Sequence, residues 1–157
     1  MQWSEDAKLG IFIHYGIYAV KGVDESWSFH NGKISHSDYM KQMSGFTAAR
    51  YKPEEWAALI KESGARYAVV TTKHHDGVAL WPTKQNHYSV VKNTPAKRDL
   101  LTPFYKALDK QGIKRVRKTA VLILVFLIGH WKIFLAAKVM AGNENTLNFR
   151  HMRGLYR

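Results

Sequence analysis

The residues best suited to chemistry stand at the ends of two apolar runs. His14 closes Leu9-Gly10-Ile11-Phe12-Ile13, and His74 and His75 follow Arg66-Tyr67-Ala68-Val69-Val70-Thr71-Thr72-Lys73. Imidazole donates and accepts hydrogen bonds, titrates near neutrality and ligates metals. Glu25 and Trp27 lie in the long connection after the first run. Imidazoles and a carboxylate can hold sugar hydroxyls, and an indole offers an apolar face to the C–H side of a pyranose. Asp76, beside the histidine pair, is expected to orient one imidazole through its ring N–H. Bland roles compete: a lone histidine after a strand is more often structural, and Trp27 and Trp81 serve equally well in a core. Several histidines and a carboxylate also make a metal set, but adjacent histidines cannot easily bite one ion, so no metal is expected. Neither a Gly-rich phosphate loop nor a serine-nucleophile motif is present, and no cofactor is expected.

Elements of an α/β fold must position these residues. Residues 9–14 and 66–72 read as strands, the second apolar enough to be covered on both faces. Between them, 37–43 reads as a short helix and 53–64 as a longer one. Pro53 suits its first position, Glu54 and Glu55 its positive end, and Gly64 its stop. Trp56, Leu59, Ile60 and Ser63 share one face of it by spacing. A further helix over 99–111 carries Leu100, Leu101, Phe104 and Leu108 on one side and stops at Gly112; Ile113 opens a third strand. This β–α–β–α–β rhythm is that of a parallel sheet or barrel, in which sites lie beyond the carboxyl ends of the strands. His14, Glu25, Trp27, His74 and His75 all fall on that rim.

The 157 residues carry 24 Lys and Arg against 12 Asp and Glu, a net +12, and 46% are apolar. There is no cysteine, which excludes disulfides and thiolate-bound zinc or iron–sulfur clusters. The charge is uneven: residues 1–114 hold 16 basic and 11 acidic side chains, residues 115–157 hold 8 and 1. We therefore divide the chain into 1–114 and a basic, apolar tail, 115–157. No stacking platform or helix-turn-helix accompanies the charge, so nucleic acid is not an expected partner. The apolar run Ala120–Ile128 falls short of the ~20 residues of a transmembrane span. The polar start Met1-Gln2-Trp3-Ser4-Glu5-Asp6 is no signal peptide.

Four segments carry a family resemblance. Leu9-Gly10-Ile11-Phe12-Ile13-His14-Tyr15-Gly16-Ile17-Tyr18 resembles the first-strand signature of the α-L-fucosidases of glycoside hydrolase family 29. Thr71-Thr72-Lys73-His74-His75-Asp76-Gly77 is similar to that family's Thr-(Thr/Ala)-Lys-His-His-Asp-Gly motif. Lys97-Arg98-Asp99-Leu100 resembles the segment opening its next helix, and Glu25-Ser26-Trp27 resembles its Glu-Trp loop with Ser26 between the two residues. The resemblance covers about residues 3–114. It implies the N-terminal portion of a (β/α)8 TIM-like barrel, incomplete in this chain, since such a barrel needs roughly 200 residues or more. It also implies a retaining exo-hydrolase of terminal α-L-fucose acting on fucosylated glycans by double displacement. His14, Glu25, Trp27, His74 and His75 would then bind fucose hydroxyls. The family's nucleophilic Asp lies beyond the equivalent of residue 157 and its acid/base later still, so no catalytic carboxylate is expected here and the chain reads as an inactive fragment. The alternative is a weak, non-catalytic fucose- or carbohydrate-binding module; a basic product acting at membrane surfaces or aggregating through its tail is a third reading. Family members usually carry extra residues before the Trp3 equivalent, often with an export signal, which leaves the compartment open.

The family's third strand commonly ends near Asp-Trp or Glu-Trp, whereas Arg115-Val116-Arg117-Lys118 intervenes here. Degenerate codons for residues 127–134, read from the last base of the Leu127 codon, permit Asp-Trp-Ser-Leu-Glu. The expectation is that residues after about 114 are out of frame. Sequencing the DNA tests it: an open, family-like frame offset by one base is required, and its absence leaves a divergent natural tail.

Overall fold

The computed structural model describes residue 7, residues 9–119 and residues 133–138. The apolar run Ala120–Ile128, most of the codon stretch 127–134 and the rest of the tail after 138 lie outside the described residues. The elements in chain order are β1 (Leu9–His14), α1 (Trp27–His30), α2 (His36–Met40), α3 (Pro53–Glu62) and β2 (Tyr67–Lys73). Then come β3 (Val78–Ala79), β4 (Tyr88–Ser89), α4 (Val90–Asn93), α5 (Leu101–Lys110), β5 (Lys114–Thr119) and β6 (Ile133–Lys138).

Four of the strands run parallel. β1 pairs β2 in the register Gly10↔Tyr67 through Ile13↔Val70. β5 lies on the far side of β2 from Tyr67↔Lys114, and β6 on the far side of β1 from Leu9↔Ile133 to His14↔Lys138. The strand expected to open at Ile113 thus carries the sheet past the composition change at 114/115. The sheet is mixed rather than purely parallel, because β3 turns back antiparallel to β2 at Lys73↔Ala79 and β4 pairs with β3. The reversal follows from the turn at 74–77: the Gly77 N–H donates to the His74 carbonyl at 3.0 Å, and Gly77 takes φ +81°.

Side chains alternate across the strands and divide the core. Ile11, Ile13, Ala68 and Val70 face the helices, where Trp56 and Ile60 of α3 and Phe104 and Leu108 of α5 are buried against them. Phe12, Tyr67 and Val69 form a smaller cluster on the opposite face, with Val116 against it. Gly10 and His14 share Phe12's parity, and the Phe12 and His14 rings stand 4.6 Å apart. The face that buries the small cluster therefore carries His14 at its carboxyl end.

The helices stop and start largely where their residue chemistry predicts. Pro53 occupies the first turn of α3, and Gly64 takes φ +80° just beyond its end. Asp99, expected as the first residue of the last helix, is its cap: Oδ1 accepts from the N–H groups of Leu101 (2.8 Å) and Thr102 (3.1 Å). Arg98 donates to the Ala48 carbonyl and lies 5.8 Å over the Tyr51 ring. The Lys97-to-Leu100 motif is thus a fastening between loop 46–51 and α5. Among the described residues no helix is long and apolar enough to cross a membrane.

Gly10 tests the register. A Cβ there would meet the Tyr67 ring at 2.2 Å. Gly10→Ala is expected to destabilise the fold by about 1–3 kcal/mol, the usual cost of overpacking a filled site. Denaturant unfolding of both chains checks it, and an unchanged midpoint would mean that Tyr67 does not cover β1.

Candidate functional site

The carboxyl ends of β1 and β2 bring distant residues to one rim. His14 ends β1, and its Nδ1 stands 3.7 Å from Glu25 Oε1, with side chains 22% and 15% exposed. His74 follows β2 directly, its ring centroid 5.6 Å from that of His14. The buried Tyr18 ring meets His74 edge-on at 5.9 Å, and His75 does so at 5.2 Å. Ser26 Oγ, itself buried, shares a hydrogen bond of 3.1 Å with His74 Nδ1.

The five sequence-predicted residues do not stand alike. His14, Glu25 and His74 converge. His75 is more exposed and touches the group through the His74 ring. Trp27, expected in a loop, opens α1, is 56% exposed and lies edge-on to His30 at 5.1 Å. Trp81 packs half-buried against the main core.

Asp76 does something other than expected. Its Oδ2 accepts from the Tyr39 hydroxyl at 3.0 Å and its Oδ1 from the Val78 N–H at 2.9 Å, deep in the fold. Both oxygens are committed to bracing the turn that carries the histidines, and Ser26 is the group that meets the imidazole. Burial raises the Asp76 carboxyl above the ordinary carboxylate range, against the pull of the Val78 and Tyr39 hydrogen bonds. The Tyr39 hydroxyl is pushed up by its own burial and by the charge of Asp76. Sequence reading missed Ser26, Tyr18 and Tyr39. Tyr18 closes the first motif and Ser26 lies inside the Glu25 loop, but nothing local marks the contacts of Ser26 or Tyr39, whose partners are 48 and 37 residues away.

Burial pushes His74 down to about 4, and the neighbouring His14 and His75 add to the effect. His74 is therefore neutral at pH 7 and offers one donor and one acceptor nitrogen. Beside it stand a second imidazole and a carboxylate. This set suits the recognition of an uncharged polyhydroxyl ligand. Among the described residues no three His, Cys, Asp or Glu side chains are grouped to hold a metal ion.

Comparison with known proteins agrees in one direction. A family model described as Alpha-L-fucosidase matches residues 1–137, a stretch that extends beyond Lys114. The tissue alpha-L-fucosidase of Macaca fascicularis is 33% identical over 127 residues, covering 71% of this chain and 27% of that protein. The alpha-L-fucosidase of Branchiostoma floridae is 35% identical over 116 residues, covering 63% and 26%. Among solved structures, an alpha-L-fucosidase of glycoside hydrolase family 29 from Bacteroides thetaiotaomicron is similar with a TM-score of 0.67 at 34% identity, covering 74% of this chain and 28% of that one. The Thermotoga maritima alpha-fucosidase in complex with fucose gives 0.62 at 35% identity, covering 74% and 33%. The chain spans about a quarter of the length of the curated relatives it matches.

The lowered pKa of His74 has a consequence for stability. A base whose folded pKa lies below its unfolded value of ~6.5 takes up its proton more readily when unfolded. Its contribution is fully present above ~6.5, is lost as the pH falls towards about 4, and levels off below that. Asp76, raised by burial, acts with the opposite sign above the ordinary carboxylate value of about 3.8. The comparison of wild type with His74→Gln isolates the histidine. Thermal melts between pH 7.5 and 4.5 are expected to fall more steeply for the wild type, by up to about one proton's worth of slope. Parallel curves would show that His74 is not desolvated.

Proposed function

The chain belongs to the α-L-fucosidase family of glycoside hydrolases, and from that membership we propose that its rim recognises the terminal α-L-fucose of a fucosylated glycan. The observation that carries the reading is the convergence of His14, Glu25 and a neutral His74 at the carboxyl ends of adjacent parallel strands. Imidazole donors and acceptors and the Glu25 carboxylate hold the sugar hydroxyls. The exposed Trp27 indole offers its apolar face to the sugar's C–H side, and His75 completes the rim. The parallel strands β5-β2-β1-β6, with a second buried cluster on the face away from the helices, support an arc of a (β/α)8 barrel that is incomplete in this chain. We place the recognition rim within residues 1–114 and give 115–157 no part in it.

The reaction in this reading is retaining hydrolysis by double displacement, which needs two carboxyl groups about 5–5.5 Å apart flanking the bond that breaks. Glu25 is engaged with His14, and Asp76 is buried with both oxygens held. Neither is free to attack an anomeric carbon. We assign these residues to binding and leave the nucleophile and the acid/base outside this chain, so binding without turnover is its expected activity.

The test uses the purified 157-residue chain with an aryl α-L-fucoside. No hydrolysis above buffer is expected, while methyl α-L-fucoside binds in the millimolar range, worth about −4 kcal/mol. His14→Ala and His74→Ala should each weaken binding about two- to tenfold, the net worth of a hydrogen bond. Turnover that His14→Ala abolishes would overturn the assignment of the carboxylates. Absence of any fucoside binding would overturn the recognition reading itself.

A further inference from the structure

The turn that carries His74 and His75 pivots on Gly77, and packing does not hold the pivot. Gly77 takes φ +81°, and among the described residues a Cβ there would meet no atom within 4 Å. Glycine rotates freely in such a place. Two side chains hold the peptide that follows it instead. The Val78 N–H donates to Asp76 Oδ1 at 2.9 Å, and the Gly77 carbonyl accepts from Asn86 Nδ2. A trans peptide points its oxygen and its hydrogen in opposite directions, so Asp76 and Asn86 grip one rigid plane from opposite sides.

The direction of each bond is fixed by its partners. A backbone N–H only donates and a carbonyl only accepts. Asn86 meets two carbonyls, those of Gly77 and Tyr88, so its amide nitrogen faces them and gives one hydrogen to each. The Tyr88 bond is local and aims the amide. The Gly77 bond spans nine residues and ties the turn to β4. Backbone pairing there is slight: β3 and β4 have two residues each, joined at Val78↔Tyr88 and Ala79↔Ser89. Asn86 extends that contact to the residue that closes the histidine turn, where the Gly77 N–H donates to the His74 carbonyl.

We propose that Asn86 is a positioning residue: it clamps the Gly77–Val78 peptide, holds the His74–Gly77 turn through it, and so sets where the two imidazoles stand at the rim. Its part in fucose binding rests on the functional reading above; the clamp on the turn does not. Asn86 touches no ligand in this proposal.

Amide exchange of the 15N-labelled 157-residue chain reads the clamp. Titration of the His74 imidazole reads its effect on the site, with His74→Gln assigning that signal. In the wild type the Val78 N–H should exchange far more slowly than that of the exposed Lys84. Exchange at the Lys84 rate overturns the proposal without any variant. In Asn86→Ala, Val78 should exchange about two- to tenfold faster, the net worth of a hydrogen bond, while Ile11 and Val69 keep their rates. The His74 pKa should rise from about 4 towards its ordinary ~6.5 as water reaches the turn, and methyl α-L-fucoside affinity should fall about two- to tenfold. Asn93→Ala is the control. Its Oδ1 accepts from the Ser89 N–H at 2.9 Å and fastens β4 to α4 rather than to the turn, so Val78 and His74 should stay as they are. Unchanged Val78 and His74 in Asn86→Ala, or equal changes in Asn93→Ala, overturn the proposal. So does a wild type that binds the fucoside no better than Asn86→Ala. If Asn86→Ala moves Val78 and His74 while neither chain binds the fucoside at all, the clamp on the imidazoles stands and the fucose reading falls.

Discussion

The site depends on the register between β1 and β2. Ile13 lies opposite Val70, and β2 runs on three residues to Lys73 before His74 leaves it. A slip of one residue would carry every side chain of β1 to the other face, moving His14 among the helices and Ile11 and Ile13 away from them. Two opposed demands hold the register. Ile11, Ile13, Ala68 and Val70 must be buried under α3 and α5, and the Tyr67 ring needs a bare backbone beneath it, which Gly10 alone in β1 supplies. The first demand is hydrophobic and tolerant of shape. The second is steric and specifies one alignment. Together they set the distance between two imidazoles that are 60 positions apart in the chain.

Polar groups then fix what the strands only bring near. A turn placing two histidines at a sheet edge could adopt several conformations. Asp76 removes that freedom by accepting from Val78 at the start of β3 and from Tyr39 in α2. Burying a carboxylate is costly unless it is hydrogen-bonded, and its raised pKa records the part of the cost that remains. The same exclusion of water lowers the pKa of His74. These two shifts of opposite sign in residues two apart have a common cause: the turn is pressed into the fold, so each residue favours its uncharged form. The rim thus presents a neutral imidazole beside the Glu25 side chain.

The parts legible in the sequence were those with local signals. The bounds of β1, the Pro53 start of α3, the stops at Gly64 and Gly112 and the buried run of β2 each follow from a few adjacent residues. Asp99 could be placed within one turn but not told apart as cap or helix, since both uses favour an acidic residue there. The reversal into β3 escaped because a two-residue strand has no periodicity to detect, although Gly77 marked the turn. The roles of Asp76 and Ser26 were out of reach for a different reason. Asp76 has histidines next to it in sequence and a tyrosine next to it in space, and only the packing of α2 against the turn decides between them. The rim itself was legible twice over, from the rule that ligands sit at the carboxyl ends of parallel strands and from the family motifs, and the structure brings His14, Glu25 and His74 together there.

Recognition and catalysis place different demands on such a rim. Hydrogen bonds to a sugar replace hydrogen bonds to water, so each returns only about 1 kcal/mol. A few imidazoles and one carboxylate can therefore orient a monosaccharide without holding it tightly. Rate acceleration requires groups that interact more strongly as charge develops at the anomeric carbon. A neutral His74 carries no charge to oppose it, and both Asp76 oxygens are held by protein donors. This corner of the fold is held by burial, by the committed Asp76 oxygens and by the hydrogen bond between the Ser26 hydroxyl and the His74 imidazole. Carboxylate oxygens already held by protein donors brace a fold, whereas a carboxylate that attacks an anomeric carbon must keep an oxygen uncommitted.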